Sequence, residues 1–470
     1  MQQRLFVRVI DGGIFVPASP EYLTTYVLLE QEDWFEKEIR YVRRFLLPGM
    51  RVIDVGASYG VYTLAMARAA APGGSVWAFE PANGTLALLR DTVAANELKH
   101  VRVCPVALSN HDGEGFLDVR GNSELNNLVP VKTPSTEQVR TATLDAQHAA
   151  HAMGDIDFIK LDAEGEELRI IEGGQRFFSH QSPLVMFELK AGEGTNSELL
   201  PKFRELGYQI FRLIGPDTML APVDDDEPVD AFELNLFACK PGRAAHLAGR
   251  GLLVERPAPT STRVPGSGVK YWKSLPFTAA LPLPDVPLDH PTMVWADHYE
   301  VWRNARNSPA QRYAGLQAAQ GIFTATADQS LINLAIHARV CLEAGARDLA
   351  VQIIKQLLAR ARQDADLGTG LLWSPSARFD AIPPVGSPRD WLIASAVHAI
   401  ACEAQHSAYF AGAKLLPMLE WLQSTPYADA ATERRRQLQA MRSGRQAGAI
   451  PCPLLTVAGP EHLNPQLWGG

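Results

Sequence analysis

The sequence predicts an α/β fold, a mostly parallel sheet with an antiparallel end, followed by a separate all-α domain. Three observations predict it. Short apolar runs ending in an acid or a glycine alternate with helical patterns from about residue 49 to 242. Such alternation means crossover connections and parallel strands. Proline then crowds residues 256–292, and from about 294 the pattern is helical only.

At 470 residues the chain has room for two or three domains. With 46% hydrophobic and 20% charged residues its composition is that of an ordinary soluble protein. A net charge of -8 gives no support to nucleic-acid binding. No apolar run is long enough to span a bilayer, and the alternating start Met1-Gln-Gln-Arg-Leu-Phe-Val-Arg-Val lacks a secretory core. Cys104, Cys239, Cys341, Cys402 and Cys452 lie far apart and form no CxxC pair. A cytoplasmic, reduced compartment is expected, without a zinc ribbon or disulfide framework.

Taken in order, residues 4–16 alternate around Asp11-Gly12-Gly13 as a hairpin. A helix is expected from Asp33 to Leu47, stopping near Pro48-Gly49. Val52-Ile-Asp-Val-Gly-Ala-Ser-Tyr-Gly60 reads as a buried strand, a glycine turn and the start of a helix over 63–70. Gly74 to Glu80 is a second strand, 85–96 a helix and 100–105 a third strand. Residues 107–119 form a loop and β excursion, and 139–144 another short strand. Strands over 156–162 and 184–188 flank a helix over 164–173, and strands at 208–213 and 232–239 close the sheet. The expected division is 1–48 as hairpin and entry helix, 49–242 as the α/β domain and 243–292 as a Pro-rich linker outside the core. A helical domain over 293–445 and a tail over 446–470 complete it. Within the helical part, Leu331 to Leu342 and Leu349 to Leu358 form a hairpin broken at Gly345, and Ser387-Pro388 starts a further helix. Two more helices are expected over about 407–423 and 429–443.

The chemistry centres on the glycine turn. Gly56 would let the backbone approach a ligand, and Gly60 would let the helix start pack closely. Asp54 immediately before the turn repels a pyrophosphate but suits a sulfonium or an amino group. Glu80, ending the next strand, can hold both hydroxyls of a ribose. These features prefer S-adenosylmethionine to a dinucleotide. Asp162 and Glu188 end adjacent strands, and with Glu164 they are the candidates to take a proton from an acceptor hydroxyl. Mg²⁺ or Mn²⁺ held by Asp162 and Glu188 is the alternative source of that help. Lys160, inside a central strand, needs a partner such as Asp162 or Glu188, or a substrate contact. Glu166 and Glu167 read as first-turn acids. His148 or His151 could serve as a base but reads better as surface, and Asn122 to Asn127 as a polar loop. Trp295, Tyr299 and Trp302 are expected in the core. Arg434-Arg-Arg436 is expected to be a solvated face.

Together, Val52-Ile-Asp-Val-Gly-Ala-Ser-Tyr-Gly60, Phe79-Glu-Pro81, Thr143-Leu-Asp145 and Ile156-Asp-Phe-Ile-Lys-Leu-Asp-Ala-Glu-Gly-Glu-Glu-Leu168 resemble the FkbM family of methyltransferases. The resemblance covers about residues 30–240. It implies a class I Rossmann-like methyltransferase sheet, S-adenosylmethionine as donor and O-methylation of a hydroxyl. By position, it places Asp54, Gly56, Ser58 and Gly60 at the methionine end. It also puts Glu80 and Pro81 at the ribose, Val106 and Ala107 near the adenine, and Asp162 beside the transfer point. Ser58 departs from the family's usual Asn, so altered cofactor contacts are expected there. The expected acceptor is a sugar or glycan hydroxyl. A polyketide-type natural product is the alternative, and a non-catalytic scaffold the rival. Nucleic acid and membrane are not expected partners; self-association is left open.

Overall fold

A computed structural model gives the architecture. It describes residues 3–119, 126–191, 194–196, 198–216, 219–224, 230, 232–255, 260–324, 328–363, 366–403, 405–444, 452–457, 459 and 461–468. Most of the stretch Asn122 to Asn127, singled out as a polar loop, lies outside the described residues.

The chain opens with a hairpin, β1 (Arg4–Val9) and β2 (Gly12–Pro17), then helices α1 (Leu23–Gln31) and α2 (Glu38–Phe45). The helix expected from Asp33 to Leu47 is therefore shorter, and α1 precedes it. The α/β part follows as β3 (Arg51–Val55), α3 (Val61–Ala70), β4 (Ser75–Phe79), α4 (Asn83–Ala95) and β5 (Val101–Cys104). A small four-stranded sheet is inserted next: β6 (Ala107–Ser109), β7 (Gly113–Asp118), β8 (Asn127–Val129) and β9 (Thr136–Thr143). The main fold resumes with α5 (Leu144–Ala150), β10 (Phe158–Leu161), α6 (Glu167–Gly173), α7 (Gln175–His180) and β11 (Leu184–Glu188). A two-residue pair, β12 (Lys190–Ala191) and β13 (Gly194–Thr195), leads to α8 (Leu199–Glu205), β14 (Gln209–Ile214), β15 (Met219–Pro222) and β16 (Asn235–Cys239).

The main sheet has the order β15-β14-β16-β11-β10-β3-β4-β5. β11, β10, β3, β4 and β5 pair in parallel, and β16, β14 and β15 add antiparallel pairings at one end. This is the methyltransferase-like α/β sheet that the strand pattern predicts. It is extended by β15, whose Met219–Pro222 run was not anticipated. Alternate residues of each strand face opposite layers. Val52 and Phe158 pack with α2 and α3, whereas Ile53, Val55 and Ile159 pack with α6 and α7. Strands covered on both faces read as continuous apolar runs, which is why these were legible.

Past the sheet come α9 (Pro241–Gly249) and α10 (Ser267–Lys273), then α11 (Pro291–Arg303), α12 (Pro309–Thr324), α13 (Leu331–Ala344), α14 (Arg347–Ala361) and α15 (Pro388–Glu403). The chain ends with α16 (Ala408–Ala411), α17 (Leu416–Gln423), α18 (Ala430–Arg442) and α19 (Pro453–Thr456). Gly345 caps α13 at φ 87°, as the hairpin pattern requires. Trp295, Tyr299 and Trp302 are fully buried, with Tyr299 Oη and Trp302 Nε1 donating to the two Glu343 carboxylate oxygens at 2.8 and 2.5 Å.

Two expectations are corrected. The 243–292 stretch is not outside the core: Trp272 and Phe277 are buried in the same cluster as Trp295 and Trp391. Proline density marks backbone shape, not burial. The Arg434 to Arg436 run is not a solvated face. Arg434 and Arg435 are buried against α1, where Arg435 Nε donates to Glu30 Oε1 at 3.1 Å and Arg434 pairs with Glu32 at 3.3 Å. Arg436 pairs with Glu433 on its own helix.

Candidate active site

The glycine turn after β3 is shaped first by the chain itself. Gly56 sits at φ 71°, and a Cβ there would collide with the carbonyl oxygen of Asp162 at the end of β10. The close approach that demands glycine is thus the neighbouring strand's backbone. Gly60 has φ 93°, and a Cβ would lie 2.8 Å from Leu89 of α4, so helix packing requires it. Gly56→Ala is expected to cost about 3 kcal/mol or more, because steric collision and backbone strain add. A chemical-denaturation midpoint unchanged from wild type would contradict this. Ser58 also adopts a left-handed backbone, φ 48°. Asn enters that region more readily than Ser, which gives the family's usual Asn a conformational reason.

A cavity of about 170 Å³ opens at the carboxyl ends of β3, β4 and β10. Gly56, Ser58, Glu80, Pro81, Val106, Ala107, Lys160, Asp162 and Glu164 line it, so the structure gathers nine of the predicted site residues around one space. Asp54, Gly60 and Glu188 stand behind its walls. His148 and His151 do not line it: His148 Nε2 lies 2.7 Å from Gly154 O, and His151 faces Cys104.

Glu80 is buried at one end of the cavity. Its Oε2 accepts from Ser58 N–H at 3.0 Å and its Oε1 from Ala82 N–H at 2.9 Å. Burial pushes its carboxyl up to about 7, against the pull of those two N–H groups. Each oxygen keeps a further lone pair for a ligand hydroxyl. The donor set therefore fits a ribose, and the apolar wall of Val106, Ala107, Leu108 and Leu117 fits an adenine.

At the other end stands a charged group. In-register residues of parallel strands point to one face, and Lys160 is in register with Asp54. Lys160 Nζ donates to Asp162 Oδ2 at 2.7 Å and lies 5.1 Å from the Tyr62 ring centroid. Burial pulls the Lys160 ammonium down, but Asp162 and Asp54 outweigh it and hold it raised. Asp54 is fully buried, and its Oδ2 accepts from Thr63 Oγ1 at 2.5 Å while Oδ1 has no hydrogen-bond partner. Burial raises its carboxyl, opposed by Lys160.

Asp162, Glu164 and Glu188 each offer an oxygen within 4.8 Å of the others. Burial and the charge of Asp162 push Glu164 up to about 8 and Glu188 up to about 11. Glu188 Oε2 is buried without a partner. Glu166 and Glu167 have structural roles. Glu166 accepts from Ser109 Oγ at 2.9 Å, and Glu167 accepts from the N–H groups of Ala163 and Gly165 at 2.7 and 3.1 Å. These bonds hold the turn in which Glu164 (φ 53°) is presented to the cavity.

The sequence reading missed Glu36 and Tyr62. Tyr62 Oη donates to Glu36 Oε2 at 2.6 Å, beside Lys160. Burial first, then Asp162, raises Glu36. The one available signal was an unexplained acid before α2; its meeting with α3 is tertiary.

Several carboxyls here are raised: Glu80 to about 7, Glu38 and Glu164 to about 8, from an ordinary 4.5. Between pH 4.5 and 8 the folded chain keeps protons that the unfolded chain has lost. Their stabilisation is complete below the unfolded value and disappears as pH rises through the folded ones. The midpoint of thermal unfolding in EDTA is expected to be higher at pH 6 than at pH 8.5; the reverse trend would contradict the burial of these groups.

A glycine turn, a carboxylate at the end of the next strand and a cavity over a parallel sheet define a class I methyltransferase fold. Residues 54–210 match the family model for the methyltransferase FkbM domain. Over these residues the chain is similar to that family, and the match supports an S-adenosylmethionine-dependent methyltransferase domain. No curated protein matches the chain. Among solved structures, a methyltransferase FkbM from Methylobacillus flagellatus is 17% identical over 43% of this chain and 50% of its own, with a TM-score of 0.28. An S-adenosylmethionine-dependent O-methyltransferase from Thermotoga maritima is 18% identical over 50% of this chain and 77% of its own, with a TM-score of 0.27. An S-adenosylmethionine-dependent methyltransferase from Aquifex aeolicus is 14% identical over 47% of this chain and 96% of its own, with a TM-score of 0.26. At these TM-scores the likenesses carry no weight. The chain spans half the length of the Methylobacillus protein. No helix among the described residues is long and apolar enough to cross a membrane.

Proposed function

We propose that the chain is a cytoplasmic O-methyltransferase acting on a hydroxyl of a sugar or glycan. One observation carries the reading: a single cavity is lined by the Glu80 carboxylate after β4 and by the Asp162 and Glu164 carboxylates after β10, with β3 between those strands. The bound cofactor supplies an electrophilic methyl group on its sulfonium. Glu80 grips the ribose, Pro81 shapes that turn, and Val106 and Ala107 cover the adenine. Gly56, Ser58 and Gly60 form the turn at the methionine end, with Asp54 as a buried negative charge behind it. Positioning is the main task. Asp162, fixed by Lys160, orients the acceptor hydroxyl, and Glu164 takes its proton. A carboxyl with a pKa near 8 is matched to that work at neutral pH. Burial first, then the charges of Asp162 and Glu167, raise Glu164, and Glu188 lies within 4.8 Å of both Asp162 and Glu164. We read residues 49–242 as the catalytic unit and 293–445 as a helical module docked on α1. Five free cysteines suit the reduced compartment.

The close grouping of Asp162, Glu164 and Glu188 favours a second reading. Their oxygens would hold Mg²⁺ or Mn²⁺, which would acidify the hydroxyl. Against it, the Lys160 ammonium already sits on Asp162. Methyl transfer from labelled S-adenosylmethionine, measured with and without EDTA, separates the two. Full activity in EDTA is expected; loss restored by Mg²⁺ or Mn²⁺ would favour the metal. S-adenosylhomocysteine failing to raise the melting temperature would favour the scaffold rival.

A further inference from the structure

Beside the cofactor cavity lies an open groove of about 870 Å³ that shares Leu128, Glu164 and Glu166 with it. One wall is the turn into α6, Glu164 to Arg169, and the other is the small sheet. On β7, Gly113 stands opposite Thr141 of β9 and Gly115 opposite Val139. Residues two apart on a strand share a face. At these two positions β7 adds no side chain beside Thr141. Local geometry asks for glycine at both positions: Gly113 has φ 158°, and a Cβ at Gly115 would lie 3.0 Å from Thr141 Cγ2. The side chains of Thr141 and Leu128 therefore close over β7 at Gly115 and form the groove wall there.

The chemistry of the groove is polar and acidic: Glu114, Glu164, Glu166 and Glu198 line it beside one arginine, Arg169, so hydroxyl donors suit it and an anion does not. Thr141 is only 3% exposed, and its hydroxyl has no hydrogen-bond partner. A buried hydroxyl in that state is costly unless a ligand or water completes it. Asn127 offers a donor and an acceptor, Asn110 is already bonded to Glu172 and His111, Arg169 is paired with Glu166 at 2.8 Å, and Phe116 supplies an aromatic edge. An apolar acceptor would bury these groups unpaired, at a cost. A hydroxyl-rich, uncharged one would pair them. The volume is near the upper end of small-ligand sites, so there is room for more than one sugar ring.

We infer that this groove is the acceptor site and that the acceptor is the end of an oligosaccharide of two or more rings. It lies along β7 and β9 with its reacting hydroxyl at Glu164. This rests on the methyl-transfer reading above and sets aside its polyketide alternative.

The test uses the full chain, tritium-methyl S-adenosylmethionine and a total extract of the source cells, separated afterwards into carbohydrate and lipid-soluble fractions. Label is expected in the carbohydrate fraction and, after acid hydrolysis, on an O-methyl monosaccharide. With that glycan as substrate, Thr141→Val should raise KM about fivefold with kcat unchanged, the effect of one lost hydrogen bond. Gly115→Leu, which pushes Thr141 and Leu128 out into the groove, should cut transfer at least about tenfold. Both should bind S-adenosylhomocysteine within about twofold of wild type. If Gly115→Leu does not fold, Thr141→Val decides. Label confined to the lipid-soluble fraction, or Thr141→Val with wild-type KM, overturns the groove while the methyltransferase reading stands. No label in any fraction despite tight S-adenosylhomocysteine binding overturns the transfer reading, and the groove with it.

Discussion

Glu30→Ala is expected to lower the free energy of unfolding by about 3–5 kcal/mol, although Glu30 lines neither the cofactor cavity nor the groove. Glu30 is fully buried in α1. Its Oε2 accepts from Ser407 Oγ at 2.6 Å, and its Oε1 accepts from Ala408 N–H at 2.9 Å and Arg435 Nε at 3.1 Å. Removing the carboxylate leaves a buried guanidinium and two donors uncompensated. That residue is much costlier to lose than a surface pair would be. The neighbouring Glu32 does the same work for the C-terminal segment. It accepts from the N–H groups of Leu463 and Asn464 at 2.8 and 3.1 Å and pairs with His462 at 3.0 Å. The double variant Glu30→Ala, Arg435→Met should recover part of the loss, since replacing a buried pair by apolar groups is cheaper than breaking it. Equilibrium urea unfolding checks both. A single variant within about 0.5 kcal/mol of wild type would mean that the clasp between α1 and α18 is not a stabilising contact.

Glu80→Ala is expected to weaken S-adenosylhomocysteine binding about 100-fold. The two charge-assisted hydrogen bonds proposed between Glu80 and the ribose hydroxyls would account for that loss. The apo protein should still unfold cooperatively. Burial already pushes this carboxyl up to about 7, so its ionised form is a burden on the fold. Ser58, which loses its acceptor, lines a cavity that water can enter. Loss of binding without loss of fold is the signature that separates a ligand contact from a structural residue. Isothermal titration together with a thermal melt reads both.

These two residues were not equally legible. Glu80 could be read from sequence because its meaning is local: a buried strand ends, and the next residue is an acid beside a glycine turn. The same holds for Lys160, whose partner Asp162 lies two residues on. The packing reason for Gly60 was legible, although Gly60 does not line the cavity, and Gly56 was legible only in part, because the atom it must avoid belongs to Asp162, more than a hundred residues away. Glu30, Glu32, Arg434 and Arg435 were illegible for the same reason. An arginine run looks solvated until a carboxylate from the other end of the chain is brought to it. Trp272 and Phe277 were hidden by the prolines around them. The small sheet was seen as a β excursion; that its inner face lines a groove leading to Glu164 follows only from the strand register.

The central claim is that residues 54–210 form a working cofactor site with Glu80 as its ribose grip. Titration of S-adenosylhomocysteine into the full chain, wild type and Glu80→Ala in parallel, tests it most directly. One saturable site in the wild type and a loss of about 100-fold in the variant is the predicted result. No binding to folded wild type, or equal binding to both, would contradict it.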